Sequence, residues 1–211
     1  MNLYFSPLAC SLATRIALYE AGASAQFTQV DTRAKRVADG RDFLGVTPMG
    51  QVPALDVGDG QVLTENSAVL QYVADRFPDA RLAPANGLER ARLQQWLGFI
   101  GTELHKAVFI PLLDTRSNDA VKAYAKDKAA LRLQVLSAHL TGREFLLDRF
   151  SVADAYLVTV LNWAAFTGVD LAAWPAVRDY QQRVQARPSV ARAMQEESAL
   201  YRQSQNAAAT R

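Results

Sequence analysis

The sequence predicts two domains of different class: an α/β unit over residues 1–78 and an all-helical bundle over 87–211, with a linker at 79–86. Three observations carry this. Up to about Phe77, short β-type runs alternate with helical ones. The stretch Pro78-Asp79-Ala80-Arg81-Leu82-Ala83-Pro84-Ala85-Asn86-Gly87 is rich in proline and small residues, as linkers are. Everything beyond it reads as helix.

Taken in order, Asn2 to Phe5 reads as a strand. Cys10 to Ala21 reads as a helix with Ile16, Leu18 and Tyr19 among its apolar positions and Gly22 just past its end, where a C-cap glycine belongs. Phe27 to Val30 is a second strand. Asp31 to Asp42 is charged and irregular, and is expected to hold a loop and a short helix. Pro53 to Val57 and Gln61 to Thr64 are strands separated by Gly58-Asp59-Gly60, a hairpin signal. Glu65-Asn66-Ser67 precedes a helix from Ala68 to Phe77, which Pro78 stops. The order β-α-β-α-β-β-α calls for a mixed sheet of four strands: a parallel crossover first, then an antiparallel hairpin.

In the second half, Leu88 to Lys106 carries Leu93, Trp96, Leu97, Ile100 and Leu104 at three- and four-residue steps, and Pro111 should end or kink that helix. Ala120 to Leu140 is a second long helix with its charges on one side. Ser151 and Asp154 have the spacing of a capping box, each side chain reaching the other's backbone N–H. The helix they start, Val152 to Phe166, is apolar nearly all round and should be buried at the centre of the bundle. Trp174-Pro175 opens another helix to about Ala186, Arg187-Pro188 breaks it, and a short last helix follows. The polar, Ala-rich tail from about Gln203 is expected to fray.

Composition narrows the function classes. Half of the 211 residues are hydrophobic, so a sizeable core is available, and the net charge is only +2. Near balance gives no basis for nucleic acid or a membrane surface as partner. A single cysteine excludes an intrachain disulfide framework and a Cys-rich zinc site, and fits a reducing compartment. No basic segment leads into a long apolar run at the N-terminus, and no run is long enough to span a bilayer. A cytoplasmic protein without signal peptide or metal is the expectation.

Three stretches carry chemistry. Cys10 follows a strand and a turn and sits where a helix begins. The N–H groups and dipole of such a terminus favour a thiolate, although a lone cysteine is more often a small buried hydrophobe. Gly50-Gln51-Val52-Pro53 stands at a strand entry. With a cis bond into Pro53, Val52 turns its N–H and C=O outward, where they can pair with a peptide-like ligand as an added strand would; with a trans bond the stretch is an ordinary turn. Thr64-Glu65-Asn66-Ser67 begins a helix, and can cap it or bind a carboxylate there. Together the three would recognise an acidic peptide that contains a thiol.

These residues resemble the cytosolic glutathione transferases, most closely the bacterial beta class, over nearly the whole chain. The resemblance rests on Leu3-Tyr4-Phe5-Ser6-Pro7 with Ala9-Cys10-Ser11, on Gly50-Gln51-Val52-Pro53-Ala54-Leu55, on Leu63-Thr64-Glu65-Asn66, on Thr102-Glu103-Leu104-His105-Lys106 and on Phe150-Ser151-Val152-Ala153-Asp154. It implies a thioredoxin-like first domain and a helical second domain that contributes the site for electrophiles. It implies a homodimer with glutathione as co-substrate, no further cofactor, and small hydrophobic electrophiles as second substrate. Carried over by position, Cys10 lies at the glutathione sulfur, with Ser11 and His105 helping to stabilise the thiolate. Val52 pairs with the cysteinyl part across a cis bond to Pro53, Glu65 and Asn66 hold the γ-glutamyl end, and Lys35 approaches the glycyl carboxylate. Gln51 and Lys106 add polar contacts, and Glu103 reaches across a dimer interface. Ser151 and Asp154 are structural.

Three residues depart from the pattern: Asn66 for a serine, Gly98 for an asparagine that helps bind ligand across the dimer, and Phe5 for a tyrosine of some relatives. Three functions follow from the resemblance. Conjugation of glutathione to electrophiles comes first. Monothiol disulfide exchange through Cys10 is second, and a non-catalytic glutathione-fold binding protein is third.

Overall fold

The computed structural model describes residues 1–209. Packing divides the chain into one unit of Met1–Leu82 together with the helix from Pro188, and a second unit of Ala83–Arg187.

The first unit contains β1 (Asn2–Phe5), α1 (Leu12–Glu20), β2 (Gln26–Asp31), β3 (Arg36–Val37), β4 (Ala54–Gly58), β5 (Gln61–Thr64) and α2 (Asn66–Arg76). Its sheet has five strands in the order β3-β2-β1-β4-β5. β1 runs parallel to β2, with Leu3 opposite Phe27, and antiparallel to β4, with Leu3 opposite Leu55. Lying inside the sheet, β1 buries Leu3, Tyr4 and Phe5 alike. Tyr4 packs in a cluster with Val30, Val37, Phe43, Val52 and Ala54.

The fifth strand corrects the expectation of four strands and a helix within Asp31–Asp42. The Asp31 side chain accepts the N–H groups of Arg33 and Ala34, 2.9 Å each, and so turns the chain locally where a helix would use those donors otherwise. Lys35 then adopts φ 55, which a right-handed helix cannot pass through. The chain returns as β3, antiparallel to β2 with Val37 opposite Val30, and makes only a 3-10 turn at Phe43–Gly45.

α1 ends in a Schellman motif. Gly22, at φ 61, gives its N–H to Tyr19 and the next residue, Ala23, bonds Leu18. The helix starts at Leu12, two residues later than the sequence suggests, so Cys10 lies in the turn before it.

The second unit contains α3 (Gly87–Phe99), a π-helical segment (Ile100–Phe109), α4 (Ile110–Leu113), α5 (Asp119–Leu140), α6 (Val152–Leu161), α7 (Ala164–Thr167) and α8 (Pro175–Gln185). α3, the π segment and α4 follow one another without a break. The Ile110 N–H bonds the His105 carbonyl five residues back. Pro111 has no N–H with which to restore the four-residue ladder, so it opens α4 and does not end the rod. All ten residues of α6 are buried. It stops at Leu161, short of the predicted Phe166, and α7 resumes at Ala164.

The capping box of α6 is formed. Asp154, fully buried, accepts from the Ser151 N–H and hydroxyl and the Leu146 N–H at 2.9 Å each, and from the Tyr180 hydroxyl at 2.7 Å.

The last helix, α9 (Pro188–Ala209), belongs to the first unit and is long, not short. It continues past Gln203, where fraying was expected, and Thr210 and Arg211 lie outside the described residues.

Candidate functional site

The three stretches singled out in the first unit come together. The Cys10 thiol donates to the Val52 carbonyl oxygen at 3.0 Å. The Val52–Pro53 peptide bond is cis. The Asn66 side chain, at the start of α2, donates to the Cys10 carbonyl at 3.0 Å and accepts from the Thr14 hydroxyl at 3.4 Å. One thiol, one strand-entry carbonyl and one helix N-terminus therefore share a single patch. A helix start leaves its first N–H groups outside the helical ladder, here those of Asn66 and Ser67. Glu65, at the N-cap position, makes no side-chain hydrogen bond to them, and its side chain is exposed.

The patch is held in a costly backbone. Leu8 (φ 60), Lys35 (φ 55) and Glu65 (φ 65) all occupy the left-handed region, which non-glycine residues seldom adopt and which concentrates at functional sites. Gly50 completes the set at φ 56. A Cβ there would meet Lys35 Cδ at 2.8 Å and Leu44 Cδ2 at 2.9 Å, so only glycine lets the Lys35 stem lie across it. The Lys35 ammonium then donates to the Gly50 carbonyl at 2.8 Å. Gln51, next in line, is exposed.

Two expectations change. Asn66 is buried, and its carboxamide is engaged by Cys10 and Thr14 within the protein. Ser11 is fully buried, and its hydroxyl donates to the Ser6 carbonyl and accepts from the Ser6 N–H, each at 3.3 Å. The hydroxyl expected to stabilise a thiolate instead closes the turn that carries Cys10.

In the second unit, Glu103, His105 and Lys106 lie on the π segment. His105 is 5% exposed. Its Nδ1 is 2.7 Å from the Tyr156 hydroxyl, and its ring is 4.9 Å from that of Trp163. Burial, helped by the neighbouring Lys106 charge, lowers its pKa to about 4, so the ring is neutral at neutral pH. Glu103 is held by the Arg132 guanidinium at 2.7 and 2.6 Å. Lys106 is exposed. At Gly98 a Cβ would meet nothing within 4 Å, so the missing side chain leaves open space and no compensating contact. Ser151 and Asp154 serve the α6 start.

Sequence reasoning missed Arg15 and Glu197. Arg15 is 4% exposed and Glu197 0%, and the Arg15 Nε donates to Glu197 at 2.8 Å. The signal was present: a cation inside Leu12-Ala13-Thr14-Arg15-Ile16-Ala17-Leu18 cannot be buried without a carboxylate partner. Among the described residues, no group of three or more His, Cys, Asp or Glu is arranged to hold a metal ion, and no helix is long and apolar enough to cross a membrane.

Comparison with known proteins identifies the architecture. Residues 2–75 match the family description "Glutathione S-transferase, N-terminal domain" and residues 102–188 "Glutathione S-transferase, C-terminal domain". The glutathione S-transferase GstA of Escherichia coli O157:H7 is 39% identical over 199 residues, covering 93% of this chain and 98% of its own. A sphingomonad glutathione S-transferase solved in complex with glutathione is 44% identical with TM-score 0.90, covering 94% of this chain and 99% of that one. The beta class glutathione S-transferase of Sphingomonas chungbukensis is 45% identical with TM-score 0.89, covering 93% and 98%. With both halves matched in order and a relative aligned over nearly its whole length, the chain belongs to the glutathione S-transferase family.

Proposed function

We propose that this glutathione S-transferase binds reduced glutathione along the Cys10–Val52–Asn66 patch and conjugates it to small apolar electrophiles. The observation that carries the reading is the pair of bonds that ties the three stretches together: Cys10 to the Val52 carbonyl and Asn66 to the Cys10 carbonyl, both at 3.0 Å. Each stretch alone has an ordinary structural use, whereas their junction has the polarity of an acidic thiol peptide.

The roles follow from chemistry. The Val52 main chain pairs with the cysteinyl residue of glutathione as a neighbouring strand would. The N–H groups at the start of α2 take the α-carboxylate of the γ-glutamyl end, and the exposed Glu65 carboxylate takes its ammonium. Lys35 and Gln51 face the glycyl carboxylate. Glu103, His105 and Lys106 are assigned to the ligand by resemblance, with Glu103 acting across a homodimer and His105 as a neutral imidazole. An ordinary thiol has a pKa of about 8.5, so the bound sulfur must lose its proton to solvent before it attacks. The thiolate then forms a C–S bond to the electrophilic carbon, and the leaving group departs with its electron pair. Holding both reactants together supplies proximity.

A second reading is favoured by the position of the Cys10 sulfur beside the Val52 carbonyl, where the sulfur of a bound glutathione would lie. The Cys10 thiolate would attack the glutathione sulfur of a mixed disulfide, forming a Cys10–glutathione disulfide and releasing the other thiolate. A second glutathione would attack that disulfide, giving oxidised glutathione and free Cys10. No second cysteine is present in the sequence, so the cycle is a monothiol one.

Cys10→Ala separates the two. Conjugation of an aryl halide is expected to stay within tenfold of wild type while disulfide exchange falls to background. Loss of conjugation with exchange intact would reverse the assignment. Failure of the wild-type protein to be retained on immobilised glutathione would end both readings.

A further inference from the structure

We propose that Glu197 is a positioning residue for Cys10, acting from the C-terminal helix through the backbone N–H of Leu8. The inference rests on the reading that Cys10 lies at the glutathione sulfur.

The turn between β1 and α1 carries its left-handed residue at Leu8, two positions before Cys10. The Leu8 N–H donates to Glu197 Oε2 at 2.7 Å. Glu197 Oε1 accepts from Arg15 Nε at 2.8 Å, so one carboxylate grips the turn and the helix that follows it. The Arg15 guanidinium is itself immobilised, with its carbon 4.3 Å from the centre of the Phe5 ring and 4.1 Å from that of Phe27. Its Nη1 donates to Glu196 at 3.0 Å and to the Tyr19 hydroxyl at 3.2 Å. The grip is thus anchored to β1 through Phe5, to β2 through Phe27 and to α1 through Arg15. From the other side, Ser11 closes the same turn onto Ser6, and Asn66 holds the Cys10 carbonyl.

A carboxylate buried merely to neutralise Arg15 needs no contact with Leu8. That Glu197 aims its second oxygen at the one left-handed N–H of the cysteine-bearing turn is what separates positioning from charge balance. With that acceptor gone, the N–H is left without its carboxylate, and the turn relaxes toward ordinary backbone angles. The Cys10 sulfur then moves relative to the Val52 carbonyl.

Two variants dissociate the roles. Glu197→Gln removes the charge opposite Arg15 and keeps one acceptor oxygen for Leu8, its amide nitrogen then facing Arg15. The double variant Arg15→Met/Glu197→Met removes the ion pair as a unit, which buried apolar replacements generally tolerate, and deletes the acceptor for Leu8. The readouts are the rate of Cys10 alkylation by iodoacetamide, the KM for glutathione and kcat in aryl halide conjugation, and the thermal midpoint. Expected for the double variant are a thermal midpoint near that of wild type, an alkylation rate changed at least fivefold and a KM raised at least fivefold, with kcat within twofold. Expected for Glu197→Gln are an alkylation rate and KM within twofold of wild type. A double variant with wild-type alkylation and KM would overturn the proposal, and so would a Gln variant that shifts them as far as the double variant does. Protection of wild-type Cys10 from alkylation by glutathione is the companion measurement. Its absence would overturn the glutathione reading, while the alkylation rates would still decide whether Glu197 places the sulfur.

Discussion

Glu197 and Asp154 are the two fully buried carboxylates of the protein's described residues, one in each packing unit, and they are satisfied by opposite means. Glu197 meets a cation, Arg15, and a single N–H brought from far along the chain. Asp154 meets only neutral donors, Ser151, Leu146 and Tyr180, all within 26 residues of it. Burial raises the pKa of both, Glu197 to about 7, against the pull of their donors. The difference teaches which one can be exchanged. An ion pair can be removed as a unit and replaced by packing. A carboxylate that is the common acceptor for several neutral donors has no such substitute, because every donor it leaves is buried.

The largest expected effect lies at Asp154. Asp154→Ala strands two backbone N–H groups and two hydroxyls, at roughly 1–3 kcal/mol for each group that finds no water, so about 4–5 kcal/mol in all once the site relaxes. That is a large share of the stability of a domain. Asp154→Asn keeps one acceptor oxygen and should lose about half as much. Urea unfolding measures both. If Asp154→Ala cost no more than about 1 kcal/mol, the contrast with the Arg15–Glu197 pair would be broken.

This contrast also explains what the sequence made legible. Asp154 lies three residues after Ser151, and a box of that spacing is visible in the chain as written. The Gly22 cap and the Gly58-Asp59-Gly60 hairpin are local in the same way, and so were readable. Val52 and Asn66 became a site only as parts of a combination with Cys10, because each alone has an ordinary use. Glu197 sits on a helix whose sequence looks solvent-facing, and its partners are 182 and 189 residues away. No periodicity reports such a contact. β3 escaped for a different reason: two residues, Arg36 and Val37, are too few to alternate. The π segment escaped because a shift from four- to five-residue bonding barely alters the apolar spacing. Pro111, just beyond it, was the visible irregularity, and it reads equally well as a stop.

A smaller effect sharpens the comparison through pH, and here His105 stands against Glu197. His105 has its pKa lowered from 6.5 to about 4, with Tyr156, Trp163 and Lys106 around it. As pH falls from 6.5 toward 4 the unfolded chain takes up a proton that the folded chain refuses, so stability falls. Glu197, facing Arg15, Glu196 and the Leu8 N–H, has its pKa raised from 4.5 to about 7. Between those values the folded chain keeps a proton that the unfolded chain releases, so stability falls as pH rises. Each slope is worth up to about 3 kcal/mol across its window. Between pH 4.5 and 6.5 they oppose one another, and the wild-type profile should be nearly flat there. Glu197→Gln should expose the His105 slope, with stability rising with pH, and His105→Gln should expose the reverse. Unfolding midpoints in urea from pH 4 to 8 test this. A wild-type profile that rises steeply through that interval would mean that Glu197 is ionised throughout.

The smallest effect compares two buried serines. Ser151 gives its hydroxyl to Asp154 at 2.9 Å, a hydrogen bond to a carboxyl group. Ser11 bonds the Ser6 backbone at 3.3 Å in both directions, longer and weaker. Ser151→Ala should therefore cost about 1–1.5 kcal/mol, and Ser11→Ala about 0.5 kcal/mol. Their functional consequences should run the other way. Ser151→Ala leaves glutathione kinetics untouched, because its hydroxyl serves only the α6 start. Ser11→Ala loosens the turn that Glu197 holds from the far side, so the KM for glutathione should rise two- to threefold with kcat nearly unchanged. A direct part in stabilising the bound thiolate would instead lower kcat and shift its pH profile, and steady-state kinetics at several pH values separate the two. The weaker hydrogen bond is the one nearer the chemistry, so stability and activity should rank these two serines in opposite order.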